Sequence, residues 1–136
     1  MKKITLILAL LLGVNIANSQ NVKIKKDIVS VDGEAICMVE KDDVNIASFY
    51  INDLENQQLL YFKWVDWGQY GYYEAYKADD LGFVIFETEP DIGFRKRIIK
   101  KLFKAKALIK NGLDQSKLDD FSNKMGKEFS RKRGRY

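Results

Sequence analysis

The chain contains no histidine, one cysteine and one proline in 136 residues. Each scarcity removes a class of mechanism. Without histidine there is no usual base for a serine or cysteine triad, and the commonest zinc ligand is missing. A single cysteine makes neither a disulfide within the chain nor a structural zinc site. Stability must therefore come from packing, and Cys37 reads as a small buried strand residue, because free cysteine is among the most buried types. The glycines are scattered over turns. Gly68-Gln-Tyr-Gly71 has neither the spacing nor the following helix of a phosphate-binding loop. Carboxylates are the remaining catalytic material.

What is present falls into three parts. Lys2 and Lys3 precede an apolar run from Ile4 to Val14, and Ala17 and Ser19 sit at −3 and −1 of a cleavage site. This is the pattern of a signal peptide over residues 1–19, with Gln20 as the first mature residue. The apolar run is too short to span a bilayer, and Cys37 lies well past the position a lipid anchor would need. The expected order is a signal peptide (1–19), one domain (20–130) and a flexible basic tail (131–136), with no transmembrane span after cleavage. The charge is segregated. Residues 20–92 carry 6 Lys+Arg against 15 Asp+Glu, and residues 93–136 carry 15 against 4. An acidic half thus precedes a strongly basic one.

The acidic half reads as strands. Val22 to Lys26 alternates with period two, and Ile28 to Val31 follows. Asp32-Gly33 between apolar runs is the strongest short hairpin signal, because a type I′ turn needs positive φ at both central positions. Lys41-Asp-Asp43 is a break, Val44–Ile51 a further strand, and Asn52–Asn56 a turn. From Leu59 to Glu87 the sequence gives three aromatic strands separated by turns at Trp67–Gly71 and Lys77–Gly82. These strands are apolar on both faces, which requires a cover on the second face. Connections this short do not accommodate parallel crossovers.

Pro90 marks the change to helical period. Thr88 or Asp91 is a candidate N-cap. A helix is predicted over Ile92–Asn111, with Phe94, Ile98, Ile99, Leu102, Phe103, Ala105 and Ile109 on one face. Lys96, Arg97, Lys100, Lys101 and Lys104 fall on the opposite face, and Gly112 is placed to end the helix. A second helix begins at Ser116, with Asp119 in capping-box position. Its apolar stripe is Leu118, Phe121, Met125 and Phe129, and Gly126 weakens it. The expected fold is α+β: an antiparallel β-meander of five to seven strands followed by two C-terminal helices, the first packed on one sheet face. Each large side chain buried there contributes about 2 kcal/mol. A surface charge pair contributes about 0–1 kcal/mol, so packing decides the arrangement.

Asp66, Glu74 and Glu87 are the carboxylates of the aromatic region, and a facing pair is what glycoside cleavage requires. As isolated strand and turn residues they carry no chemistry, and a small meander has little depth for a water-excluding cleft. Asp42-Asp43 and Asp79-Asp80 have turn composition and lack the spaced ligands of a calcium loop. Two candidate binding surfaces remain. One is an aromatic row including Trp67, Tyr70 and Tyr72, since exposed Tyr and Trp suit a glycan or protein partner. The other is the basic face formed by Lys96, Arg97, Lys100, Lys101 and Lys104, which suits anionic lipid headgroups or acidic polymers. Nucleic acid is a poor partner for an exported chain. No cofactor or metal is called for.

The ending Ala17-Asn-Ser-Gln20, the Ile28-Val-Ser-Val-Asp-Gly33 hairpin, the aromatic strands and the basic C-terminal helix together resemble small exported proteins of Bacteroidota that have no assigned domain. The resemblance implies a periplasmic or secreted address and carries over no functional residue. The expected function is a non-catalytic exported binding or envelope-associated module, its partner a protein, a glycan or an anionic envelope surface. The alternatives are a small carboxylate-dependent glycan hydrolase and a structural partner subunit.

Overall fold

A computed structural model describes residues 21–68 and 70–133, without the side chains of Trp67, Lys132 and Arg133. The expected signal peptide and residues 134–136 of the expected tail lie outside the described residues. Seven strands form one antiparallel sheet in sequential order: β1 (Val22–Lys25), β2 (Ile28–Val31), β3 (Glu34–Lys41), β4 (Phe49–Asn52), β5 (Gln58–Trp67), β6 (Tyr70–Lys77) and β7 (Asp80–Thr88). The meander is as expected. So is the turn at Asp32-Gly33, where φ is 51° and 85°. A second turn of the same kind joins β1 to β2 through Lys26-Asp27, with φ of 51° and 67°.

Directly paired residues of an antiparallel sheet share a face. Phe49 pairs with Phe62 and Phe62 with Ala75, which in turn faces Phe86. These residues line one face and are all buried. α1 (Phe94–Lys104) lies over them. Its Phe94 stacks on Tyr73 at 4.1 Å and meets Phe49 and Phe62 edge-on at about 6 Å. Phe94, Ile98, Ile99 and Leu102 form its buried stripe. Packing of this helix on the sheet therefore follows the sequence pattern.

The boundaries differ in several places, each for a physical reason. Val44–Ile51 is not one strand. Residues 42–48 form a loop built on the Asp42 carboxylate, which accepts from the Val44 and Asn45 amides, and β4 begins only at Phe49. Gly93 is the N-cap of α1, with φ of 71° and no side-chain cap, so neither Thr88 nor Asp91 caps the helix. It stops at Lys104, before Asn111. Lys106, at φ 64°, takes the left-handed position. Lys106 N–H reaches Phe103 O, and Ala107 N–H reaches Leu102 O, both at 3.0 Å. That pair of bonds is a Schellman ending, so Gly112 is not the terminator. It belongs to a small hairpin of β8 (Leu108–Ile109) and β9 (Gly112–Leu113), and Ile109 is exposed rather than on the helix face.

The second helix, α2 (Gln115–Met125), is capped by Asp114, whose side chain accepts from Lys117 N–H at 3.1 Å, not by Ser116. Asp119 instead accepts from Gln115 Nε2 at 2.7 Å. Gly126, at φ 70°, breaks the expected second helix, and α3 (Glu128–Arg133) follows. Arg131–Arg133 are thus helical rather than part of a frayed tail.

The C-terminal segment covers both sheet faces. Phe86 and Glu87 are neighbours in β7, so their side chains point to opposite faces. Phe86 meets Phe121 of α2 at 5.3 Å, while Glu87 accepts from Ser130 N–H of α3 at 3.0 Å. Between them, Gly126 O accepts from Glu87 N–H at 2.9 Å. The chain therefore passes around the free edge of β7 and occupies part of it.

Candidate functional site

α1 turns its charge outward because its apolar stripe is committed to the sheet. Lys96, Arg97, Lys100, Lys101 and Lys104 are all exposed. Arg97 pairs with Asp91 at 3.2 Å, and Lys110, beyond the helix, pairs with Glu34 at 2.6 Å. Among the described residues no carboxylate lies within 4.0 Å of Lys96, Lys100, Lys101 or Lys104. The acidic and basic halves share a core but largely do not neutralise one another by contact. The first turn of α1 contains no acid and carries Arg95, Lys96 and Arg97, at the end where the helix dipole is already positive.

Beside this end lies an open groove of about 740 Å³, between α1 and the edge strand β1. Lys23, Ile24 and Lys25 form one wall, and Gly93, Phe94, Arg95 and Lys96 form the other, with Tyr73 also lining it. Arg95 and Lys96 stand on its α1 side, whereas Lys23 and Lys25 alternate along β1 with buried Val22 and with Ile24, so their side chains leave the sheet on the face opposite α1. Arg95 is half-buried, its guanidinium 5.0 Å from the centre of the Phe49 ring. Burial raises the Tyr73 phenol pKa, and the Arg95 charge opposes that rise. The Tyr73 hydroxyl donates to Ala47 O at 3.0 Å. The aromatic wall is therefore fixed by the core.

The aromatic surface divides. Tyr72 is 1% exposed and stacks on Phe129 at 5.4 Å, so it does not belong to an exposed row. Tyr70 is 70% exposed, at the β5–β6 turn. The side chain of Trp67 is outside the described residues. Tyr50, Tyr61 and Tyr76 run side by side across β4, β5 and β6, with ring centres 4.5 and 6.2 Å apart. Tyr61 and Tyr76 are buried. The Tyr76 hydroxyl donates to Glu74 Oε1 at 3.0 Å, and burial followed by that bond raises its pKa. The Tyr61 hydroxyl donates to Asp42 Oδ2 at 2.5 Å, which heads the bonds that lower the Asp42 carboxyl to about 2.

Glu74 and Glu87 are cross-strand partners, whereas Asp66 is exposed near the turn. Glu87 is 2% exposed and holds the first turn of α3 through Ser130. Glu74 is occupied by Tyr76. The two carboxylates are thus used as acceptors within the fold. Asp42 closes its loop, and Asp80 opens β7. Among the described residues no group of three or more Cys, Asp or Glu is placed to hold a metal ion, and no helix is long and apolar enough to cross a membrane.

No family model, curated protein or solved structure matches the chain. The site stands on its own geometry. Sequence reading found the exposed cations of α1 but missed Arg95, whose guanidinium lies over Phe49. The approach of β1 to α1 is a tertiary fact without a local signal.

Proposed function

We propose that this chain is a non-catalytic exported module that binds anionic surfaces of the cell envelope through the basic face of α1. One observation carries the reading: four exposed lysines of one helix, Lys96, Lys100, Lys101 and Lys104, have no carboxylate within 4.0 Å among the described residues. Charge that the fold does not use internally is available to a partner, and each such cation near an anionic surface contributes about 1 kcal/mol. The signal-peptide pattern of residues 1–19 supports an envelope address, where lipid phosphates and acidic polymers are at hand.

The test is charge reversal away from the core. Lys100→Glu, Lys101→Glu and Lys104→Glu together should abolish retention on phosphatidylglycerol vesicles while leaving the circular dichroism spectrum unchanged. Retention equal to that of the native chain would refute the reading.

A further inference from the structure

We propose that the end of the sheet where β3, β5 and β7 stop is a docking surface for a basic, amphipathic segment of another protein. In a meander the odd-numbered strands all run toward one end, so the stretches around these strand ends, residues 42–48, 66–70 and 89–93, leave the sheet together. Among the described residues the most exposed large apolar side chains all lie there. Ile92 is 99% exposed, Ile46 89%, Val44 85% and Tyr70 70%, against 59% or less elsewhere. Tyr73 ties the three stretches to one another. It follows Tyr70 in β6, its hydroxyl donates to Ala47 O at 3.0 Å, and its ring stacks at 4.1 Å on Phe94, two residues beyond Ile92. The loop of residues 42–48 is held by its own polar groups. The Asp42 carboxylate accepts from the Val44 and Asn45 amides and from the Tyr61 hydroxyl, and Ser48 N–H reaches Asn45 O at 3.1 Å. Its polar groups are engaged inside the fold, while both of its branched apolar side chains are turned to solvent. An exposed apolar cluster of this kind marks an interaction surface.

The charge at this end selects the partner. Residues 42–48, 66–70 and 89–93 hold five carboxylates and no lysine or arginine. Asp42 closes its loop and Asp91 pairs with Arg97. That leaves exposed Asp43, Asp66 and Glu89 with no cation within 4.0 Å among the described residues. The neighbouring Arg95 is turned onto the Phe49 ring. Carboxylates set among exposed apolar groups repel a nucleic-acid backbone and an anionic lipid surface. They complement cations carried beside apolar side chains. A second copy of this chain fits poorly, because the basic face of α1 has its apolar stripe buried and offers nothing to Ile46 and Ile92. A basic segment with its own apolar face satisfies both halves of the surface. None of these residues belongs to the lysine face of α1, so the surface is independent of anionic binding there.

The probe is a fluorescein-labelled synthetic amphipathic helix of leucine and lysine, with a second peptide in which serine replaces leucine and the charge is kept. The purified protein should bind the leucine peptide at least tenfold more tightly than the serine peptide. Ile46→Ser and Ile92→Ser should each weaken that binding about tenfold and leave the circular dichroism spectrum unchanged, because both side chains stand in solvent. Asp43→Asn with Glu89→Gln should weaken it about twofold per carboxylate and make it less salt-dependent. Lys100→Gln with Lys104→Gln should not weaken it. Equal binding of the two peptides, or binding of neither, would overturn the proposal and leave the reading of α1 standing. So would Ile46→Ser and Ile92→Ser variants that bind the leucine peptide as the native chain does. If those two substitutions instead reduce retention on phosphatidylglycerol vesicles, the surface belongs to lipid. If they abolish a self-association of the native chain seen in sedimentation, it belongs to a second copy. Either result overturns the assignment to a basic partner.

Discussion

At the scale of single residues, Gly71 is required in its place by space rather than by a turn. A Cβ there would lie 2.0 Å from the Trp64 ring, and Gly71 carries no positive φ. Trp64, itself edge-on to Tyr73 at 5.1 Å, lies across the strand where a side chain would otherwise stand. The sequence offered only a glycine beside a turn, and nothing local distinguished the two roles. Gly71→Ala is expected to cost about 1–3 kcal/mol through overpacking, read as a lower urea midpoint with an altered near-ultraviolet tryptophan signal. An unchanged midpoint would return Gly71 to the turn. Asp42 gives a second residue-scale prediction. Its pKa is lowered, so its contribution to the loop is present above the unfolded value, near 4, and is lost as pH falls toward about 2. The Val44 amide resonance should therefore titrate with a midpoint near 2, and Tyr61→Phe should move that midpoint upward.

At the scale of elements, what was legible followed from period and from turn chemistry. Asp32-Gly33 announced its hairpin. Lys26-Asp27 did not, although both its φ values are also positive, because the ladder beside it imposes the turn on a pair that lacks the glycine such a turn favours. The end of α1 was misread for the same reason, since Lys106 takes a position that glycine usually fills. The β8–β9 hairpin depends on contacts distant in sequence. Asn111, at φ 63°, donates its N–H to Ile36 O at 2.9 Å, and its side-chain oxygen accepts from Leu54 N–H at 2.7 Å. Ile36 is the extra residue of a β-bulge in β3, so its carbonyl is released from the β2 ladder to serve this role. Asn111→Ala should cost about 2 kcal/mol, from the lost bond and the left-handed backbone together. Asn111→Gly should cost about half as much, because it keeps the backbone conformation. Equal losses in thermal unfolding would show that the backbone conformation is not what matters.

At the scale of the whole molecule, the two-faced apolar strands required a second cover, and the C-terminal segment supplies it by passing around β7. Phe121 seals one face at Phe86 and Phe129 the other at Tyr72. That wrapping was not legible, since it turns on Gly126 interrupting one amphipathic stripe and on a buried carboxylate, Glu87, holding the piece beyond it. The basic face of α1 was legible because an amphipathic helix states in its period which side it withholds from the core. The groove beside it was not, because β1 and α1 are separated by most of the sheet.

Whether that withheld charge meets an anionic surface is tested most directly by one titration: binding of the native chain to phosphatidylglycerol-doped vesicles as salt is raised from about 0.01 M to about 0.15 M. The screening length shrinks from about 30 Å to about 8 Å over that range, and affinity is predicted to fall about tenfold or more, with no binding to neutral vesicles. Affinity that does not change with salt, or equal binding to neutral vesicles, would contradict it.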